Sequence, residues 1–152
     1  MKTTIIVYES KYGNTKLVAE GIAEGMRKAS PMEVVVSEVK SIDVNQLSAF
    51  DAVLIGSPNH MGKPVSNIRK FINGLGVGLE GKQIAVFDTY TGANFGKAVK
   101  KMEEQIVQEG PGLKLMSPGL SIMVDGTKGP IAASDVPKVE EFGTRIAALM
   151  MG

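Results

Sequence analysis

Glu9-Ser10-Lys11-Tyr12-Gly13-Asn14-Thr15 stands between an apolar run, Thr4-Ile5-Ile6-Val7-Tyr8, and the start of a helical pattern. A strand, a tight loop and a helix N-terminus in that order have the local chemistry of a phosphate cradle. The first amides of the helix have no intrahelical acceptor, and the positive end of its dipole faces the loop. Ser10, Asn14 and Thr15 add side-chain donors, and Gly13 lets the backbone approach closely. The plainer reading is that Ser10 or Asn14 only caps the helix. That accounts for one position, whereas several of the loop's residues are small or donating.

Outward from this loop, strands and helices alternate. The pattern predicts a strand over residues 3–8 and a helix over 14–28 with Leu17, Ile22 and Met26 inward. Further strands are expected at Val34-Val35-Val36, Ala52-Val53-Leu54-Ile55-Gly56, Gln83-Ile84-Ala85-Val86-Phe87 and Leu120-Ser121-Ile122-Met123-Val124. Val65, Ile68, Ile72 and Leu75 fall at helical spacing, with Pro64 suited to a first turn. Phe95, Val99, Met102 and Ile106 do the same, as do Val139, Phe142, Ile146 and Leu149 behind a Ser134 or Asp135 cap and Pro137. Strands apolar on both faces, alternating with amphipathic helices, imply a parallel sheet covered on both sides. The expected fold is a doubly wound α/β three-layer sandwich with five parallel strands. The stretch from Gly110 to Pro130 is rich in Gly and Pro, and its edges are the least defined.

The 152 residues, 43% of them hydrophobic, suffice for one core, so a single domain over 1–152 is expected. No leader or bilayer-length apolar run is visible, which points to a cytoplasmic protein. A net charge of +1 with scattered charges gives no nucleic-acid stripe. With no cysteine there is no disulfide, thiol chemistry or iron–sulfur centre, so electron handling requires a borrowed cofactor.

In such sheets ligands bind beyond the carboxyl ends of the strands, at the switch point. Three segments gather there: Ser10 to Thr15, Ser57 to Gly62, and Thr89 to Gly92. In that order on that fold they resemble the flavodoxin family, at the length of a short-chain member, and also the flavodoxin domains of flavodiiron proteins. The resemblance implies strand order 2-1-3-4-5 and FMN as cofactor. It assigns Ser10, Lys11, Tyr12, Gly13, Asn14 and Thr15 to the ribityl phosphate loop. Ser57, Pro58, Asn59, His60, Met61 and Gly62 would edge the isoalloxazine ring, with the Met61-Gly62 peptide able to turn its carbonyl toward reduced flavin. Thr89, Tyr90, Thr91 and Gly92 would carry the stacking tyrosine. Two departures stand out: family carriers are usually strongly acidic, and the second segment lacks the inner aromatic, leaving His60 or Met61 in its place.

Gly76-Val77-Gly78-Leu79-Glu80-Gly81 fits the G-x-G-x-x-G dinucleotide fingerprint, but it follows a helix and precedes a strand, the wrong context. Its glycines are read as a helix end and a turn. His60 is the only histidine and has no cysteine or carboxylate pair beside it, so neither a metal site nor a catalytic dyad is expected. It is either an exposed loop residue or a partial charge near the flavin. Asp88 either points inward or is solvated at a strand end. Tyr12 shields the phosphate, Lys11 faces solvent, and the methionines fill the core, with Met61 the one that could touch the cofactor.

The first expectation is therefore an FMN-binding, low-potential electron carrier with no catalytic residue of its own. It would be monomeric and act between a reductase and an acceptor protein. A second is an NAD(P)H-dependent flavin or quinone reductase on the same fold. A third is a flavin-free interaction module, against which the intact phosphate loop counts.

Overall fold

A computed structural model describes residues 1–76 and 78–152. Seven strands form the sheet: β1 (Lys2–Tyr8), β2 (Met32–Glu38), β3 (Ala52–His60), β4 (Lys63–Pro64), β5 (Gln83–Tyr90), β6 (Lys114–Leu115) and β7 (Leu120–Met123). The helices are α1 (Asn14–Ala29), α2 (Ser66–Asn73), α3 (Lys97–Glu109) and α4 (Val136–Met151). The strand order is β2-β1-β3-β5-β6, with β7 continuing alongside β5 and β4 folded back on β3. The long strands pair in parallel; Ile5, for example, lies between Val35 and Val53.

Five lanes were expected, and five parallel lanes exist in the order 2-1-3-4-5. The extra strands have local causes. The fifth lane breaks between Leu115 and Leu120, where Pro118 has no amide to offer the ladder. The β3–β4 pair is a hairpin with His60 opposite Lys63. Its two-residue turn is Met61 (φ 54) and Gly62 (φ 83). Two positive φ values in succession match the twist of antiparallel partners.

Alternate residues of each strand enter separate cores. Ile6, Leu54, Ala85 and Phe87 join Val18, Ile22, Met26, Phe142 and Ile146 beneath α1 and α4. Ile5, Val7, Val53, Ile55, Ile84 and Val86 join Ile68, Ile72, Met102 and Ile106 beneath α2 and α3. Phe87 is fully buried, and a Cβ on Gly56 would meet its ring at 2.1 Å.

The helix faces depart from the simple apolar count. Leu17 is 57% exposed, whereas its neighbours Val18 and Ala19 are fully buried. The cause is α4, which lies against the small residues of α1. A Cβ on Gly25 would meet the Glu140 carbonyl oxygen at 2.4 Å, and one on Gly143 would meet the Ile22 carbonyl oxygen at 2.3 Å. The contact face is thus centred on glycine and alanine, and the large Leu17 is displaced outward. Leu149 is likewise 45% exposed while Ala147 and Met150 are buried.

Other boundaries also shift. Pro64 lies in β4, ahead of α2, rather than in a first turn. Phe95 precedes α3 and is exposed. Asp135 flanks α4 without capping its amides, and instead accepts from the Met123 amide (2.8 Å) and Lys138 Nζ (3.0 Å). These contacts hold its carboxyl below the ordinary range against the opposing effect of desolvation. The Gly76–Gly81 stretch runs between α2 and β5, with Gly78 and Gly81 at positive φ; Val77 lies outside the described residues. Among the described residues no helix is long and apolar enough to cross a membrane.

Candidate functional site

A cavity of about 530 Å³ opens at the carboxyl ends of the strands. Its walls come from all three expected segments: Ser10, Lys11, Tyr12, Asn14 and Thr15; Pro58, Asn59 and His60; Thr89, Tyr90 and Thr91. Gly13, Ser57, Met61, Gly62 and Gly92 do not line it. Two of the expected loops are in part strand ends, because β3 continues to His60 and β5 to Tyr90.

At one end of the cavity, Gly13 (φ 94) turns the chain into α1. Ser10 Oγ accepts from the amides of Gly13 (3.0 Å) and Lys16 (3.4 Å). Gly13, not Ser10, is the N-cap; Ser10 Oγ supports the turn into the helix, and its own hydroxyl proton remains available to a ligand. The amides of Asn14 and Thr15 head the helix without intrahelical acceptors. Thr15 Oγ1 lies 2.9 Å from Thr89 Oγ1, both side chains being buried. One proton fills that bond, and the other hydroxyl proton is free to turn into the cavity. No acidic residue occupies the first turn of α1, so its positive end is uncompensated. This donor set fits a terminal phosphate.

Tyr12 is 43% exposed at the rim, with Lys11 Nζ 5.4 Å and Lys128 Nζ 6.0 Å from its ring centroid. Lys128 belongs to a loop after β7 that the sequence left undefined. Gly129 in that loop packs on Asn14, where a Cβ would meet Oδ1 at 2.5 Å. Val124 and Thr127 add wall from the same side.

At the other end, Tyr90 closes β5 and meets Phe95 edge-on, centroids 5.5 Å apart at 77°. Tyr90 is 9% exposed, more buried than its position past an apolar run suggests. Desolvation, with Asp135 contributing, raises the pKa of its hydroxyl. Asn59 holds the hairpin: Oδ1 accepts from the Gly62 amide (2.8 Å) and Nδ2 donates to the Asn94 carbonyl (2.9 Å). Ser57 is buried, donates to the Pro58 carbonyl (2.8 Å) and accepts from the Val65 amide (3.0 Å), so it braces the wall rather than facing the cavity. Met61 is 84% exposed on the hairpin tip, outside the lining. His60 is exposed at the edge.

Asp88 points inward and is fully buried. Its carboxylate accepts from Ser121 Oγ (2.5 Å) and the Val99 amide (3.1 Å), and Ser121 Oγ in turn accepts from the Gly96 amide (2.9 Å). Desolvation pushes its pKa up to about 6, opposed by these hydrogen bonds and by the nearby Asn59 side chain. Asp88 is thus an anchor for the 91–96 loop and the start of α3.

Sequence reasoning missed Tyr8, Glu9, Glu38, Val39, Lys40, Val65, Asn67, Val124 and Thr127 in the lining. Most follow strand ends. Applying the switch-point rule to β2 and β7 as well would have found Glu38 to Lys40 and Val124 to Thr127.

Residues 5–117 match the family model described as a flavodoxin domain. The chain belongs to the flavodoxin family. The family's flavin is FMN. Among solved structures, the flavodoxin-family chain is similar to a flavodoxin from the domain Archaea, with TM-score 0.83, 26% identity and 99% of each chain covered. Among curated relatives it is 28% identical over 106 residues to a flavodoxin of Aquifex aeolicus, covering 67% of this chain and 57% of that one. It is 26% identical over 95 residues to an NAD(P)H dehydrogenase (quinone) of Caulobacter vibrioides, covering 50% and 48%. The chain thus spans about half the length of these curated relatives.

Proposed function

We propose that this flavodoxin-family chain is a single-domain, low-potential electron carrier that binds FMN and exchanges electrons with a reductase and an acceptor protein. The observation that carries the reading is one continuous cavity with an uncompensated helix N-terminus at one end and Tyr90 at the other. Its volume lies in the range of small-molecule sites. FMN, when bound, supplies one- and two-electron transfer through its isoalloxazine ring.

The chain's own residues bind and position. Ser10, Thr15 and the Asn14 and Thr15 amides would hold the phosphate by charge-assisted hydrogen bonds. The Thr15–Thr89 bond ties that cradle to the end of β5, so the phosphate end and the tyrosine keep a fixed relation. Tyr90 offers the stacking face, and its contact with Phe95 limits its rotation. Asn59 pins the hairpin by holding the Gly62 amide, so the Met61-Gly62 peptide would have its carbonyl to turn toward the ring edge, a turn that Gly62 permits.

Titration of the apoprotein with FMN, riboflavin and FAD tests the reading. FMN should bind at least about a hundredfold more tightly than riboflavin, since each charge-assisted bond contributes about 1.5–3 kcal/mol. FAD should also bind more weakly, its adenylate having to pass through the cradle. Equal affinity for FMN and riboflavin would sink the proposal.

One observation favours a second reading, an NAD(P)H-dependent reductase. The hairpin side of the cavity presents Pro58, Asn59 and His60 without an aromatic, which leaves room for a nicotinamide, and a quinone dehydrogenase is among the relatives. Anaerobic mixing with NADH or NADPH separates the two. A carrier should reduce slowly without an added reductase, whereas rapid, saturable turnover with a quinone would establish the enzyme.

A further inference from the structure

Lys97, Lys100 and Lys101 are all exposed in the first two turns of α3, and no acidic residue accompanies them in the first turn. Cations at the positive end of a helix dipole oppose helix stability. Lys97 lies over the β3–β4 hairpin, since a Cβ on Gly62 would meet its Cδ at 3.5 Å. Lys63 and Arg69 join Lys101 around a surface hollow that also includes Pro64 and Gln105. Among the described residues none of these five cations forms an ion pair, and the one polar contact is from Arg69 Nη1 to the Pro64 carbonyl at 2.6 Å. The acidic groups close by in the fold are Asp88, buried beneath the start of α3, Glu103, half-buried and accepting from the Gly119 amide, and Glu104, exposed beside it. Beside the cations stand two large apolar side chains in water: Met61 at 84% and Phe95 at 67% exposure, the latter touching Tyr90.

Local stability does not account for this arrangement, but recognition does. We propose that the hairpin tip, Phe95 and the first half of α3 form a docking surface for the carboxylate-rich face of a redox protein. This inference rests on the carrier reading, because the surface adjoins the Tyr90 end of the cavity. A protein partner fits better than a nucleic acid. The cations lie beside the exposed Met61 and Phe95, which suits an apolar centre with a charged rim. A nucleic acid requires a continuous basic stripe, and the chain's net charge is only +1. The polarity is the reverse of the acidic surface usual among carriers of the family, in keeping with the departure already visible in the chain's net charge of +1.

The test uses the whole chain, with poly-L-glutamate and a mixed-sequence DNA duplex as probes at low ionic strength. The triple variant Lys63→Gln, Lys97→Gln, Lys101→Gln should weaken polyglutamate binding at least about tenfold. A matched variant, Lys2→Gln, Lys82→Gln, Lys114→Gln, removes equal charge at the opposite end of the strands and should change it less than about twofold, screening confining the effect to the patch. In the FMN-loaded, reduced chain the first variant should slow oxidation by anionic ferricyanide and speed oxidation by cationic hexaammineruthenium. Equal losses in both variants, tighter binding to the duplex than to polyglutamate, or unchanged rates with both oxidants would overturn the docking surface. Polyglutamate binding at the patch by a chain that takes up no FMN would overturn the carrier reading alone.

Discussion

The two ends of the cavity are built by different means. The cradle end is local: Ser10, Gly13, Asn14 and Thr15 lie within six residues, and the first backbone amides of α1 are among its donors. The Tyr90 end is assembled from distant segments by side chains. Asn59 reaches Asn94, Asp88 reaches Ser121 and the Val99 amide, and Ser57 reaches Val65. None of Ser10, Gly13, Asn14 and Thr15 carries a side chain that titrates in the physiological range. A site held by a buried carboxylate and long-range amide contacts can be loosened from outside.

The largest effect expected to sharpen this contrast is at Asp88. Its pKa in the folded chain is about 6, above the ordinary 3.8, so the folded state takes up its proton first. The associated stability is complete below about pH 3.8 and is lost as pH rises through 6. Over that interval the parent should lose about 2–3 kcal/mol relative to Asp88→Asn, which cannot titrate. Denaturant melts of both chains at several pH values report it as a difference in slope. Parallel slopes would remove the buried carboxylate from the account.

At the cradle end, Thr15→Ala should weaken FMN by about 1.5–3 kcal/mol, one bond to a charged group, and should lower stability by about 1–3 kcal/mol because the buried Thr89 hydroxyl loses its partner. Because Thr15 and Thr89 share a hydroxyl bond, combining Thr15→Ala with Thr89→Ala should be non-additive by about 0.5 kcal/mol or more. Strict additivity would mean that the two ends are independent.

Asn59→Ala removes two hydrogen bonds of roughly 1 kcal/mol each. Hydrogen exchange at the Gly62 amide should accelerate severalfold while exchange within β1 stays constant. If β1 responds equally, the hairpin is not a separate unit.

The smallest effect concerns Tyr90→Leu, which keeps apolar bulk and removes the ring. FMN should weaken by about 0.5–1.5 kcal/mol, and bound flavin should become more fluorescent. Unaltered fluorescence would place the flavin elsewhere in the cavity.

How far the sequence could be read follows the same division. The β1–loop–α1 unit and the alternation of strands and helices depend on contacts a few residues apart, so residue order reveals them. Leu17 and Leu149 were misassigned because the α1–α4 contact runs through Gly21, Gly25 and Gly143, which a count of large apolar residues ignores. The split fifth lane and the 124–130 wall escaped because Gly and Pro there carry no periodic signal. Ser57 was read as a lining residue, yet its hydroxyl is used by partners within its own wall.

The doubly wound parallel sheet, and a loop of small and donating residues between its first strand and first helix, can be read from residue order alone, since both follow from short-range periodicity and helix-end chemistry. The burial of Asp88, the bonds of the Ser57 hydroxyl to Pro58 and Val65, and the gathering of Lys63, Arg69 and Lys101 on one surface come from the tertiary structure. Those properties depend on which distant segments become neighbours, and burial and electrostatic potential are sums over neighbours in space rather than along the chain.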